Sequence, residues 1–114
     1  MSPMSFTKVC TLDDLWEGEM ESFDVDGQEV LLVCLDGGEV RAYQGVCPHQ
    51  DIPLVEGAFT SGRLVCRAHQ WVFDASTGVG VNPGNCRLAE YPVRIDGDDV
   101  YVDTAGITPL FAAS

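Results

Sequence analysis

Two short stretches, Cys47-Pro48-His49 and Cys66-Arg67-Ala68-His69, constrain this chain more than any other feature. Sixteen residues, positions 50–65, separate them, and they hold both histidines of the 114-residue sequence. Two thiols and two imidazoles in the order Cys-x-His, then Cys-x-x-His, suit a two-iron, two-sulfide cluster with thiolates on one iron and imidazoles on the other. The same donors could also form a tetrahedral zinc shell. Zinc knuckles usually pair Cys with Cys and His with His, whereas each stretch here offers one of each, an arrangement that lets both loops reach across two metals. In either case two loops distant in sequence must be held side by side, and the remaining residues read as the scaffold that does so.

That scaffold is written in strands. Phe6-Thr7-Lys8-Val9-Cys10 alternates and predicts a first strand, followed by one helical turn capped by Thr11, with Asp13 and Asp14 near its amino end. Glu19 to Val25 alternates up to Asp26-Gly27, a strong hairpin signal, and Gln28 to Leu35 is the returning strand. Asp36-Gly37-Gly38 turns the chain again, and Glu39 to Gln44 delivers it to Gly45 and the first ligand stretch. Three hairpin-linked strands predict an antiparallel sheet. Arg87 to Ile95 and Val100 to Asp103 predict a further hairpin around Asp96-Gly97-Asp98-Asp99, with Pro92 at an edge or a bend.

Between these halves, Gly45 to Pro83 is dense in Gly, Pro, Cys and His, with short strands expected at Arg63-Leu64-Val65 and Trp71-Val72-Phe73. A segment so long and so poor in regular structure is usually functional, and a metal centre clamped between its loops would supply order. The expectation is one all-β domain over residues 1–114, an antiparallel sandwich or barrel. Its base β domain spans about residues 4–44 and 84–114, and a cluster-binding subdomain is inserted at about 45–83.

Charge narrows the partners. Eighteen acidic residues against six basic ones, a net −12, argue against nucleic acid and anionic membranes and for a basic protein surface. A domain of this length buries roughly 65% of its unfolded surface and needs no disulfide staples. Of the five cysteines, Cys10, Cys34 and Cys86 therefore read as small buried hydrophobes, and Trp16 and Phe73 as core. No apolar run approaches the roughly 18 residues of a membrane span, and the start lacks a basic end followed by an apolar run, so a cytoplasmic protein is expected.

Cys47-Pro48-His49-Gln50-Asp51, Leu54-Val55-Glu56-Gly57, Cys66-Arg67-Ala68-His69-Gln70-Trp71-Val72-Phe73-Asp74 and Thr77-Gly78 resemble Rieske [2Fe–2S] proteins. With Gly80-Val81-Asn82-Pro83 and Leu88-Ala89-Glu90-Tyr91-Pro92-Val93, the resemblance is closest to the ferredoxin of bacterial toluene/aromatic diiron monooxygenases. It implies a Rieske-type fold with one [2Fe–2S] cluster, Cys47 and Cys66 on one iron, and His49 and His69 on the other. It also implies a monomeric one-electron carrier, without catalysis of its own, between an NADH-dependent reductase and a diiron hydroxylase. Gln50, Asp51, Gln70 and Trp71 are the expected docking residues beside the ligands. The ferredoxin of a Rieske aromatic-ring dioxygenase and a zinc-stabilised interaction module stand as alternatives.

Departures from the respiratory relatives carry their own expectations. Those proteins tie the loops with two further cysteines, where this chain has Ile52 and Ala68, so packing must replace the disulfide. They also place a serine and a tyrosine near the sulfurs, where this chain has Trp71 and Phe73, neither with a hydroxyl to donate. Two ferric irons, two sulfides and two thiolates sum to zero, becoming −1 on reduction. Without hydroxyl donors, and within an acidic protein, that added charge is disfavoured, which predicts the lower part of the range of about −150 to +300 mV for such centres.

Overall fold

Strand β3 explains why the sequence around Val30 reads as a continuous apolar run rather than an alternating one: both of its faces are buried. The computed structural model describes residues 6–25, 27–48, 52–60, 62–67, 71–82, 87–104 and 107. In chain order these form β1 (Thr7–Thr11), a 3-10 turn (Leu12–Asp14), β2 (Met20–Val25), β3 (Gln28–Cys34) and β4 (Val40–Gln44). A second 3-10 turn (Leu54–Glu56) leads to β5 (Ala58–Thr60), β6 (Arg63–Val65), β7 (Val72–Asp74) and β8 (Gly80–Asn82). The chain then returns through β9 (Glu90–Tyr91), β10 (Val93–Asp96) and β11 (Asp99–Val102). The fold is all-β, and the strands form three antiparallel sheets, ordered β1-β11-β10, β2-β3-β4-β9 and β5-β6-β7-β8.

The middle sheet is shared by two cores. Val30, Leu32 and Cys34 of β3, with Val40 and Ala42 of β4, pack with Cys10, Val100 and Val102 of the first sheet. On the other face, Leu31 and Val33 of β3 and Tyr43 of β4 pack with Leu64 and Phe73 of the third sheet, and with Cys47 and Cys66. Successive side chains of a strand point to opposite faces, so a strand buried on both must be apolar at every position. The loops carrying the two cysteines are thereby seated on a wall whose other face is the base of the molecule.

Several details differ from the sequence reading. The strand expected from Arg87 to Ile95 is two strands in different sheets: β9 pairs with β4 through Ala42–Tyr91 and Tyr43–Glu90, whereas β10 pairs with β11. Pro92 lies between them, and having no N–H it cannot continue a ladder. Its carbonyl accepts from the Asp103 N–H at 3.2 Å. At the first turn Thr11 is the N-cap, as expected, in a capping box with Asp14, whose carboxylate accepts from the Thr11 N–H at 3.1 Å and from its hydroxyl at 3.2 Å. Trp16, expected in the core, is 66% exposed, its indole N–H donating to the Asp13 carbonyl at 2.9 Å. Phe73 is fully buried, and Cys10 and Cys34 are buried as expected, while Cys86 lies outside the described residues. Among the described residues no helix is long and apolar enough to cross a membrane.

Leu31 and Leu32 are adjacent, fully buried and on opposite faces of β3, so they report on the two cores separately. Leu31→Ala and Leu32→Ala should each lower unfolding free energy by about 2–5 kcal/mol, read as a fall in the urea midpoint at unchanged slope. A near-neutral result for either would mean that its face of the middle sheet is not a packed core.

Candidate metal centre

Both cysteine loops are closed at their base by the same hydrogen bond. The Cys47 N–H donates to the Ile52 carbonyl at 2.9 Å, and the Cys66 N–H donates to the Trp71 carbonyl at 2.7 Å. In each case four residues lie between donor and acceptor: Pro48-His49-Gln50-Asp51 in the first loop and Arg67-Ala68-His69-Gln70 in the second. Each closed segment thus begins at a cysteine and includes, in sequence, one of the two histidines. His49, Gln50, Asp51, His69 and Gln70 themselves lie outside the described residues.

The stems are tightly built. Strand β4 and its Gln44 lead into the first loop, whose Gly45 N–H donates to the Glu29 carbonyl at 2.9 Å. A Cβ on Gly45 would stand 2.4 Å from Glu29 Cγ and 2.8 Å from its carbonyl oxygen, so only glycine fits here. On the way out, Val46 bridges Pro53, and the Leu54 N–H donates back to the Gly45 carbonyl at 2.8 Å. The second loop needs fewer devices because it joins paired strands: Val65 and Val72, on either side of it, are register partners.

Three residues outside the ligand motif hold this region to the middle sheet. Gln44 is fully buried; its Nε2 donates to the Val46 carbonyl at 2.9 Å and its Oε1 accepts from the Ala89 N–H at 2.8 Å. It therefore ties the residue before Cys47 to the chain returning into β9. The buried Tyr43 hydroxyl donates to the Ala75 carbonyl at 2.8 Å, pinning the end of β7 to β4, and burial pushes this phenol well above its ordinary range. Gly78, at φ +78°, lies against the Tyr43 ring, where an added Cβ would come within 2.8 Å. The sequence reading missed Gln44 and Tyr43 in these roles. The available signal was an amide and a phenol at the end of a strand whose neighbouring positions all face inward.

Cys47 and Cys66 are both 0% exposed and belong to the same core, and both are thiols. Cys10 and Cys34 sit in the other core, across the middle sheet. Burial, with lesser contributions from Asp14 and Glu21, pushes the Cys10 thiol up to about 11; burial likewise raises that of Cys34. Neither can join the Cys47–Cys66 pair without crossing the sheet. Two thiols from separate loops, dry and on one side of one wall, fit the sulfur half of a two-iron, two-sulfide centre, in which thiolates hold one iron. Trp71 is partly buried and packs against this core. Outside, Arg67 Nε pairs with Glu56 Oε1 at 2.9 Å, linking the second loop to the exit of the first. Both partners are exposed, and such pairs contribute about 0–1 kcal/mol.

The chain matches the Rieske [2Fe-2S] domain family over residues 5–92. It is 46% identical over 102 residues to the ferredoxin component of the alkene monooxygenase system of Xanthobacter autotrophicus, covering 89% of this chain and 83% of that one. It is 39% identical over 104 residues to the ferredoxin component of biphenyl 2,3-dioxygenase of Rhodococcus jostii, covering 90% and 96%. Among solved structures it is similar to the ferredoxin of carbazole 1,9a-dioxygenase from Nocardioides aromaticivorans, with a TM-score of 0.77 and 36% identity over 86% of this chain and 96% of that one.

Gln44→Leu keeps the side chain's bulk but strips partners from the buried Ala89 N–H, at about 1–3 kcal/mol, and from the half-buried Val46 carbonyl. It should unfold at lower urea than wild type, and an unchanged midpoint would remove Gln44 from the stem. In native protein Cys10 and Cys34 should resist alkylation at pH 8, since burial and raised thiol pKa both suppress the reactive thiolate. Rapid labelling of either, read by peptide mass, would contradict the buried placement.

Proposed function

The chain belongs to the Rieske [2Fe–2S] domain family, and we propose that it carries electrons one at a time from an NADH-dependent reductase to the diiron hydroxylase of a multicomponent monooxygenase. It holds one [2Fe–2S] cluster and is an electron-transfer component, not a catalyst. Family membership sets aside the zinc-stabilised alternative. The observation that favours a monooxygenase is the 46% identity to an alkene monooxygenase ferredoxin component, against 39% for that of biphenyl 2,3-dioxygenase. The dioxygenase relatives support a second reading, in which the acceptor is an aromatic-ring dioxygenase.

In this reading Cys47 and Cys66 would ligate one iron and His49 and His69 the other. When bound, the cluster supplies a centre that takes up and gives back a single electron. The protein's own part is to deliver the two thiols from a dry core, so that water is kept from the sulfur side, and to offer the histidine tips as the route outward. Residues 45–83 act as the cluster-binding subdomain, on a base of residues 4–44 and 84–114. Gln50, Asp51, Gln70 and Trp71 form the docking rim. The closed stem at Trp71, with its ring against the core, supports a contact whose centre is apolar and pre-ordered.

A carrier that must leave each partner needs a small interface, below about 1,200 Å². Its net charge of −12 supports attraction to basic partner surfaces, which raises the encounter rate without tightening the complex. We place the protein in the cytoplasm as a monomer, where a nicotinamide-dependent donor is at hand.

Purified protein should be coloured, with two irons and two acid-labile sulfides per chain. His49→Ala and His69→Ala should lose the cluster or change its spectrum, while Cys34→Ser should not; the opposite pattern would discard the ligand assignment. With reductase present, hydroxylation by a diiron hydroxylase should depend on this protein and slow as salt rises and the Debye length falls below about 10 Å. Trp71→Ala should slow it further at unchanged iron content. Turnover supported only with an aromatic-ring dioxygenase would select the second reading, and salt-independent coupling would remove electrostatic steering.

A further inference from the structure

We propose that Gly57 is a positioning residue for the cluster, setting the separation between the loop of Cys47 and the loop of Cys66; this rests on the assignment of Cys66 as a ligand. Strands β5 and β6 pair Ala58 with Val65 and Phe59 with Leu64. One further step along that ladder places Gly57 across from Cys66. There the two backbones approach more closely than a side chain permits. A Cβ on Gly57 would stand 1.9 Å from the Val65 carbonyl oxygen, 3.0 Å from its carbonyl carbon and 3.1 Å from the Arg67 nitrogen.

These atoms belong to the residues flanking Cys66, and as backbone they cannot swing aside. Cβ atoms essentially never come within 3.0 Å of such neighbours, so a methyl group at 57 must open the seam by about 1 Å. Gly57 has φ −90°, so the requirement there is for space and not for a left-handed turn. On its other side Gly57 is bonded into the first loop: its N–H donates to the Leu54 carbonyl at 2.9 Å, and the Leu54 N–H donates to Gly45, two residues before Cys47. A continuous run of backbone contacts therefore spans from the stem of Cys47 to the flanks of Cys66. The Glu56–Arg67 pair crosses the same seam at the surface. Metal–ligand distances are held to within about 0.2 Å, so a seam opened by five times that amount changes how both thiols meet one iron.

The test uses the cluster-loaded protein and two glycine variants of the same hairpin. Gly57→Ala inserts the wedge beside Cys66. Gly62→Ala strains a left-handed turn, φ +75°, at the far end of β5–β6, where an added Cβ meets nothing within 4 Å. Expected for Gly57→Ala are shifted EPR g-values and visible circular dichroism, and iron release to excess chelator at least about tenfold faster than wild type. Gly62→Ala should melt earlier yet keep wild-type spectra and release iron within about twofold of wild type. A Gly57→Ala protein with wild-type spectra and release, or a Gly62→Ala protein that matches its changes, overturns the proposal. If Gly57→Ala does not accumulate as folded protein, the decision passes to Arg67→Glu, which sets a second carboxylate against Glu56 across the same seam. Iron release from it should rise at least about twofold through like-charge repulsion, and unchanged release overturns the proposal. Wild-type protein without iron and sulfide would instead remove the ligand assignment, a result distinct from either variant's.

Discussion

The structure depends on a sheet that has no solvent face. Strands β3 and β4 separate two apolar cores lined by Val, Leu, Ala, Tyr and Cys, with Gln44 the buried polar exception at the end of β4. Because the wall is shared, the base and the segment bearing the loops are mechanically joined: moving one face of β3 moves residues packed on the other. Close packing transmits such displacements because interiors contain few voids to absorb them. A metal centre supported from one face is thus held by the whole molecule, without the disulfide that joins the loops in respiratory relatives.

Upon that wall, positional accuracy comes from backbone groups. Each loop is closed by a cysteine N–H, the first is nested inside further backbone bonds to Gly45, and both stems meet where Gly57 has no side chain. Backbone contacts of this kind have little rotational freedom to lose, unlike a bridge between long side chains. Gln44 extends the same logic with an amide that imitates the peptide group, bonding one backbone donor and one backbone acceptor. The exposed Glu56–Arg67 pair is a minor addition by comparison.

Charge and burial divide the labour between two regions. The cysteine side of the site is dry and apolar, whereas among the described residues every acidic side chain but the buried Asp103 is at least partly exposed and can act at long range. A carrier needs both properties: rigidity where the electron resides, and attraction that does not become adhesion where partners meet. Trp71 stands at the boundary, its carbonyl in the stem and the residue as a whole partly buried against the core.

Much of this was legible in the residues alone. The donor set, its division between two loops, the hairpins at Asp26-Gly27 and around Asp96-Gly97, and the all-β class follow from local chemistry: ligand type, turn preference and side-chain alternation each act within a few residues. What local pattern could not supply was the assignment of strands to sheets. Arg87 to Ile95 looks like one strand, and only the competing partners β4 and β11 divide it at Pro92. Trp16 looks like core, but it is Leu12 and Leu15 of that segment that pack into the first core, and the Trp16 side chain is left at the surface. Gln44, Tyr43 and Gly57 look unremarkable in sequence because their roles consist of meeting Ala89, Ala75 and the flanks of Cys66, residues brought beside them only by the fold. The sequence by itself determined which donors the chain can offer a metal, thiols and imidazoles in two short stretches, since that is a matter of side-chain identity. Tertiary structure decided how the two thiols are brought together, because distance between segments remote in sequence is a property of packing and not of composition.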